Sequence, residues 1–427
     1  MFQERRTKLL ESMGPRSCAI IPTATVAIRN NDVEHEFRPD SDVFYLTGFD
    51  EPESILVLLP GNTDHQVVLF VRPRDPEREV WDGPRAGVEG AVKQFGADAA
   101  FPIAEFEAKL PNLLAGRDRL YYLLGANRSL DDRVLQGIAT QRHRSRKGGS
   151  WPTEIVDPAL VVHEMRWRKA ETELDLMRRA AEITREGFQR ARDTARPGRH
   201  EYEVEAVLRE AFRSRGSERP AYSPIVASGA NACVLHYVAN NRRMEDGDLL
   251  LIDAGAEFNC YASDVTRTFP VNGRFTPAQR EIYELVLAAQ YASIEAIKPG
   301  ATIQEVHQRS VDTITQGLVK LGLLEGDPVE LAKNDAYKRY FMHGTSHWIG
   351  MDVHDVGRYY VDGKPRPMEP GCVLTVEPGV YIPPNDEKAP AQYRGIGVRI
   401  EDDVAVTLEG HRVLTHDIPK TVAELER

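Results

Sequence analysis

The chain has 427 residues, 41% of them hydrophobic and 28% charged, with a formal net charge of −11. That length is too great for one ordinary core and predicts two domains of roughly 160 and 260 residues. The acidic balance argues against a general nucleic-acid binder, and no apolar run reaches the roughly 18 residues of a membrane span.

The N-terminal stretch MFQERRTKLLES is charged and amphipathic and lacks the apolar core and cleavage site of a secretory signal. The four cysteines, Cys18, Cys233, Cys260 and Cys372, show no close CxxC spacing, so a cysteine metal site is not expected. A cytoplasmic protein with reduced thiols is the simplest reading. Apolar runs at 55–60 and 67–71 alternate with helical stretches, which predicts a mixed α/β first domain. Residues 142–150 are charged and glycine-rich and read as a solvated loop near the junction; an RNA-binding patch would need interleaved aromatics, which this run lacks. The expected domains are 1–163 and 164–427.

Helices are expected at 166–195 and 201–215, then a two-stranded aspartate hairpin, then helices at 277–297 and 302–321 ahead of two strands that end in glutamates. An internal echo supports this order. Pro197-Gly198 leads to Glu203-Val204 and Pro299-Gly300 leads to Glu305-Val306, so PGxxxxEV recurs at an offset of 102. Two helix-helix-sheet halves would then enclose one site.

Five residues in these halves, Asp253, Asp264, His347, Glu377 and Glu401, lie in apolar or glycine-rich surroundings that read as sheet interior. Inward carboxylates in such numbers require cations or strongly raised pKa values, and metal is the better reading. A strand running into Asp253 and a returning strand at 261–269 predict a hairpin. With its turn on Phe258 and Asn259, Asp253 faces Asp264, at a cross-strand distance of roughly 4.5–5.5 Å that suits two ions about 3.5–4 Å apart. Glu377 and Glu401 sit at the ends of strands at 372–376 and 396–400. Arg399 shares a strand face with Glu401, and its guanidinium is expected beside the cluster. His236, His343 and His354 remain as uncoordinated imidazoles that handle protons. Four carboxylates against two divalent ions, with one imidazole, suit manganese first, with cobalt or zinc as alternatives.

The segments LLLIDAGAEFNCYASDVTRTF, HGTSHWIGMDVHDVG, VLTVEPGVY and GIGVRIEDD resemble the metal and histidine motifs of the aminopeptidase P and prolidase family, and DSDVFYLTGFD resembles its N-terminal domain. The resemblance spans essentially the whole chain. It implies an α/β (α+β) architecture, a smaller N-terminal α/β domain followed by a pita-bread catalytic domain with pseudo-twofold halves, similar to methionine aminopeptidase. It also implies a dinuclear Asp, Asp, His, Glu, Glu centre, with Glu377 moving the proton, His236 and His354 stabilising the oxyanion, and His343 helping to hold the residue after the cut.

The implied activity is release of the residue before proline by a metal-activated hydroxide. Tyr222, Tyr359, Tyr381 and Trp81 are expected near a proline pocket or in the layer behind it, Asp42 and Arg399 as a polar pair beside the site, and Arg366 as a looser basic match. A prolidase that cuts Xaa-Pro dipeptides shares all five ligands. The N-terminal motif, Trp81 in EVWDGPRAG and the form YRGIGVRIEDD favour the aminopeptidase. A non-catalytic binding relative is disfavoured by the complete ligand set, which also disfavours creatine hydrolysis, and the extra N-terminal domain disfavours methionine aminopeptidase itself. The expected partners are Xaa-Pro peptides, with no nucleic acid and no membrane, and the resemblance implies a homodimer or homotetramer.

Overall fold

A computed structural model describes residues 1–426 apart from Ser145 and Lys147. The chain divides into two units, Met1–Met165 and Arg166–Arg427. The first is built on a six-stranded mixed sheet whose central strand, Ser17–Pro22, runs antiparallel to Ile55–Leu58 and parallel to Arg119–Tyr121. Alternation sorts its residues. Cys18, Ile20, Ile55, Val57, Val68 and Phe70 meet Phe106, Leu110, Leu130 and Val134 of two helices, while Leu56, Leu58, Leu69 and Val71 are equally buried on the opposite face. The motif DSDVFYLTGFD forms the helix Ser41–Thr47, with Asp40 capping the Val43 amide and Gly48, at φ 70°, closing the end.

The expected loop at 142–150 begins later than the sequence suggests. The helix Arg128–Arg144 takes in its first three residues, including Arg142, His143 and Arg144 in the last turn, where basic groups suit the helix dipole. Ser145 and Lys147 lie outside the described residues.

The second unit consists of two matching halves. Helices Glu171–Thr194 and Glu201–Ser214 precede the sheet of Ile225–Ser228, Leu249–Asp253 and Thr266–Pro270. Helices Pro277–Ile294 and Ile303–Lys320 precede the sheet of Val373–Val376, Asp402–Val406 and His411–Val413. The PGxxxxEV repeat has a physical role in each half. Glu203 and Glu305 reach back to the N-cap amides of His200 and Thr302, at 2.8 and 2.7 Å. The glycine amides donate to Met244 and Met368, at 2.8 and 2.9 Å, and those methionine amides donate back to Arg199 and Ala301. Each methionine lies nine residues ahead of a cluster carboxylate, Asp253 or Glu377.

The long helix expected from 166 is interrupted. Ala159–Trp167 ends early, residues 168–170 leave the helix, and Glu171–Thr194 restarts it. The reason lies at Lys169, whose amide donates to Gly371 at 2.8 Å and whose ammonium is buried against Asp355 at 2.9 Å.

Candidate metal centre

The aspartate hairpin differs from the predicted register by two residues. Asp253 pairs with Thr266 and Phe258 with Tyr261. The turn centres on Asn259 and Cys260, both at positive φ as a two-residue hairpin turn requires, and not on Phe258 and Asn259. A shift of two preserves the side-chain face, so the two aspartates remain on one surface as a diagonal pair. The returning strand is also split, into Tyr261–Ala262 and Thr266–Pro270. The chain crosses so tightly at the split that a Cβ on Gly255 would lie 1.6 Å from the Ser263 carbonyl oxygen.

The other candidate ligands are delivered by backbone pairing. The Thr375 and Glu377 amides donate to the His347 and Thr345 carbonyls, at 2.9 and 2.8 Å, so the histidine segment lies along the glutamate strand. The Glu401 amide donates to Thr266 at 3.0 Å, and the Asp264 amide to Asp403 at 3.1 Å, which stitches the two halves together at the cluster. Donor atoms of Asp264, His347 and Glu401 all lie within 4.8 Å of one another. The His347 Nε2 stands 3.5 Å from Asp264 and 3.6 Å from Glu377. Its Nδ1 donates to the Trp348 carbonyl at 3.0 Å, which leaves the Nε2 lone pair to face the cluster.

A supporting layer orients these groups. The Tyr222 hydroxyl lies 2.5 Å from both Asp253 and Asp264. Arg399 donates to Asp253 at 2.6 Å and to Thr266 at 3.1 Å, and Thr266 donates to Glu401 at 2.6 Å. Thr266 and Thr375, which accepts the His347 amide at 3.1 Å, escaped the sequence reading. The available signal was alternation, since each lies two residues from a ligand, Asp264 or Glu377.

Burial pushes the Glu377 carboxyl up to about 7, against the attraction of His347 and Arg399, and raises Asp253 and Glu401 in the same direction. Repulsion among the carboxylates adds to the effect. Burial would lower His347, but Asp264 and Glu377 outweigh it and raise the imidazole to about 9. The cluster's four carboxylates outnumber the positive groups among them, Arg399 and the His347 imidazolium. Arg399 is the guanidinium bonded within it, and four carboxylates with one imidazole lone pair form a hard, oxygen-rich donor set that matches two divalent ions.

Around the centre, burial depresses His343 to about 4. Its Nδ1 faces the Gly344 carbonyl at 2.7 Å, and its Nε2 faces the Tyr381 hydroxyl at 2.8 Å. That hydroxyl also accepts from Arg399 at 3.0 Å, so Tyr381, 1% exposed, links the guanidinium to the imidazole. His354 stands edge-on to His347 at 4.4 Å, and burial, then the charge on His347, lowers its pKa. His236 is exposed on the segment between the strands Ile225–Ser228 and Leu249–Asp253.

The remaining predicted residues occupy varied positions. Tyr359 stacks on Trp348 at 5.6 Å, and its hydroxyl accepts the Trp348 amide. The Arg366 guanidinium lies 3.3 Å from the centre of the Trp167 ring. In the first unit, Asp42 meets His163 at 3.2 Å, and Trp81 is 84% exposed.

Comparison with known proteins agrees with this geometry. Residues 175–408 match metallopeptidase family M24, and residues 2–122 match the aminopeptidase P N-terminal domain. The chain is 46% identical over 426 residues to an Xaa-Pro aminopeptidase of Escherichia coli, covering 100% of this chain and 96% of that protein. Among solved structures, Pseudomonas aeruginosa aminopeptidase PepP superposes with a TM-score of 0.97 at 52% identity, covering 99% and 96% of the two chains. A variant of Escherichia coli aminopeptidase P in complex with substrate gives a TM-score of 0.95 at 46% identity, covering 99% and 96%. A complete donor set on matching halves, behind an N-terminal domain of this type, has one family reading: the chain belongs to metallopeptidase family M24.

Proposed function

We propose that the protein is an Xaa-Pro aminopeptidase, which releases the N-terminal residue from peptides with proline in second position. The observation that carries this reading is the convergence of Asp253, Asp264, His347, Glu377 and Glu401 from distant strands onto one charge-deficient cluster. Those five residues would hold two divalent ions, manganese by preference, which supply Lewis acidity and acidify a water toward neutral pH. Glu377 takes the proton from the attacking water and passes it to the leaving nitrogen, a role suited to a carboxyl whose environment pushes it up to about 7. His236 and His354 donate to the developing oxyanion, and His343 holds the residue after the cut. Arg399 and Tyr381 keep His343 in one orientation through the hydrogen bonds at 3.0 and 2.8 Å.

An Xaa-Pro bond is a tertiary amide with no N–H, so it escapes peptidases that need that donor. Tyr359, Trp81, Asp42 and Arg366 are assigned to substrate recognition on the strength of the family resemblance. Among the described residues no helix is long and apolar enough to cross a membrane. We assign the protein to the cytoplasm from its unpaired cysteines, and a homodimer or homotetramer from the resemblance.

The test is hydrolysis of Xaa-Pro-Yaa tripeptides beside Xaa-Pro dipeptides, using protein stripped by chelator and reloaded with manganese. Release of the first residue from the tripeptide, lost on stripping and regained on reloading, is the expected outcome. Cleavage of the dipeptide alone would make the protein a prolidase, and cleavage of neither would leave a binding role.

A further inference from the structure

The segment 228–242, which carries His236, is tied at four of its residues to one buried carboxylate from another element, while Asn240 is bonded separately to Val226, Pro224 and Glu205. Glu201, the first residue of the helix Glu201–Ser214, is 0% exposed. Its Oε1 accepts the Ser228 amide and hydroxyl, each at 2.7 Å, and the Asn231 side-chain amide at 3.2 Å. Its Oε2 accepts the Tyr237 hydroxyl and the Arg242 amide, each at 2.8 Å. The Glu201 amide in turn donates to the Arg242 carbonyl at 3.0 Å. All five groups that donate to the carboxylate are neutral, and four residues spread along the segment supply them.

Alternation then aims His236. Cys233, Leu235 and Tyr237 pack against the buried cluster of Ile225, Ala227, Leu251 and Tyr381. Val234, His236 and Val238 face outward, the two valines at 54% and 58% exposed. The residue adjoining His236 is thus pinned twice, by its ring on the core and by its hydroxyl on Glu201.

We propose that Glu201, acting through Tyr237, is a positioning residue for His236: it fixes where that imidazole meets the substrate and touches neither substrate nor metal ligand itself. The inference rests on the oxyanion role assigned to His236 above. A buried carboxylate suits the task because its two oxygens accept from both sides at once. A glutamine there turns one arm into a donor, which would face the Arg242 amide or the Ser228 amide and leave a buried donor unpaired.

A double-mutant cycle tests it, with Glu201→Gln, Tyr237→Phe and His236→Ala made singly and in pairs in the full chain. In the otherwise native protein we expect kcat on an Xaa-Pro-Yaa tripeptide to fall about tenfold for Glu201→Gln and about threefold for Tyr237→Phe, with KM within about twofold. In the His236→Ala background both substitutions should cost nothing further, because the group they position is gone. Manganese affinity, titrated calorimetrically without substrate, should stay within about twofold in the single variants.

Equal losses in both backgrounds would overturn the proposal, as would no loss in the native background or a tenfold change in manganese affinity. Undiminished turnover in His236→Ala would instead overturn the oxyanion assignment, and the proposal with it. Should Glu201→Gln fail to fold, Tyr237→Phe, which removes one hydroxyl, carries the cycle alone.

Discussion

The two roles proposed for Glu377, metal ligand and proton carrier, suit its surroundings: burial raises its carboxyl to about 7 while His347 and Arg399 keep it from rising further. Glu377→Gln keeps the shape and removes the basic oxygen. In manganese-replete protein its turnover is expected to fall about 10²–10⁴-fold, and a variant that keeps most of its turnover at equal metal content would exclude this base. Tyr222 makes a second test. Its hydroxyl joins Asp253 and Asp264, so Tyr222→Phe is expected to weaken manganese binding or turnover by about 10–100-fold, read by calorimetric titration and tripeptide hydrolysis. The two aspartates were legible from their own strands. The shared tyrosine contact was not, because Tyr222 lies 31 and 42 residues before them.

Among the elements, the loop bearing His354 shows how a helix break serves the site. Asp355, the next residue, is buried between Lys169 at 2.9 Å and Arg166 at 2.6 Å, and Arg166 also reaches Asp352 at 2.6 Å. Burial alone would raise the Asp355 carboxyl, but the two cations hold it below its ordinary value of 3.8. A depressed pKa stabilises the fold above the unfolded value, and that contribution is lost as pH falls through the folded one. Asp355→Asn leaves the buried Lys169 ammonium without its carboxylate and Arg166 with Asp352 in place of two carboxylates. It is expected to cost about 3–5 kcal/mol at pH 7, measured by denaturant unfolding, with the deficit shrinking as the pH falls below about 4. Helix periodicity across 166–195 is genuine, but local pattern does not reveal that Lys169 is drawn out of the helix by a partner nearly two hundred positions away.

For the whole molecule, the candidate metal centre is expected to couple folding to metal and to pH. Without metal, Glu377 binds a proton in the folded state up to about 7, against an ordinary value of 4.5, and burial shifts Asp253 and Glu401 in the same sense. The raised Glu377 value means that its contribution to the metal-free fold falls as pH climbs from about 4.5 to about 7, and the raised His347 imidazole carries the loss on toward about 9. Divalent ions relieve the repulsion. The rise in Tm on adding manganese to chelator-stripped protein is therefore expected to grow across that window in scanning calorimetry, and a rise independent of pH would contradict this account.

Much of this organisation follows from local chemistry along the chain. The helices at 201–215, 277–297 and 302–321 correspond to Glu201–Ser214, Pro277–Ile294 and Ile303–Lys320, because apolar periodicity and capping act within a few residues. The repeated PGxxxxEV disclosed two similar halves for the same reason, since it encodes a glycine turn and a capping glutamate. The carboxylates pointed to a candidate metal centre because unpaired charges are costly inside apolar strands. Tertiary structure alone decided the hairpin register, in which the close approach of Gly255 to Ser263 and the turn at Asn259 and Cys260 set Asp253 opposite Thr266. It also decided the partners that hold the site in place, Tyr222, Thr266, Tyr381 and the Glu201 hub, because hydrogen bonds between residues far apart in sequence exist only once two packed halves bring their donors and acceptors within about 3 Å.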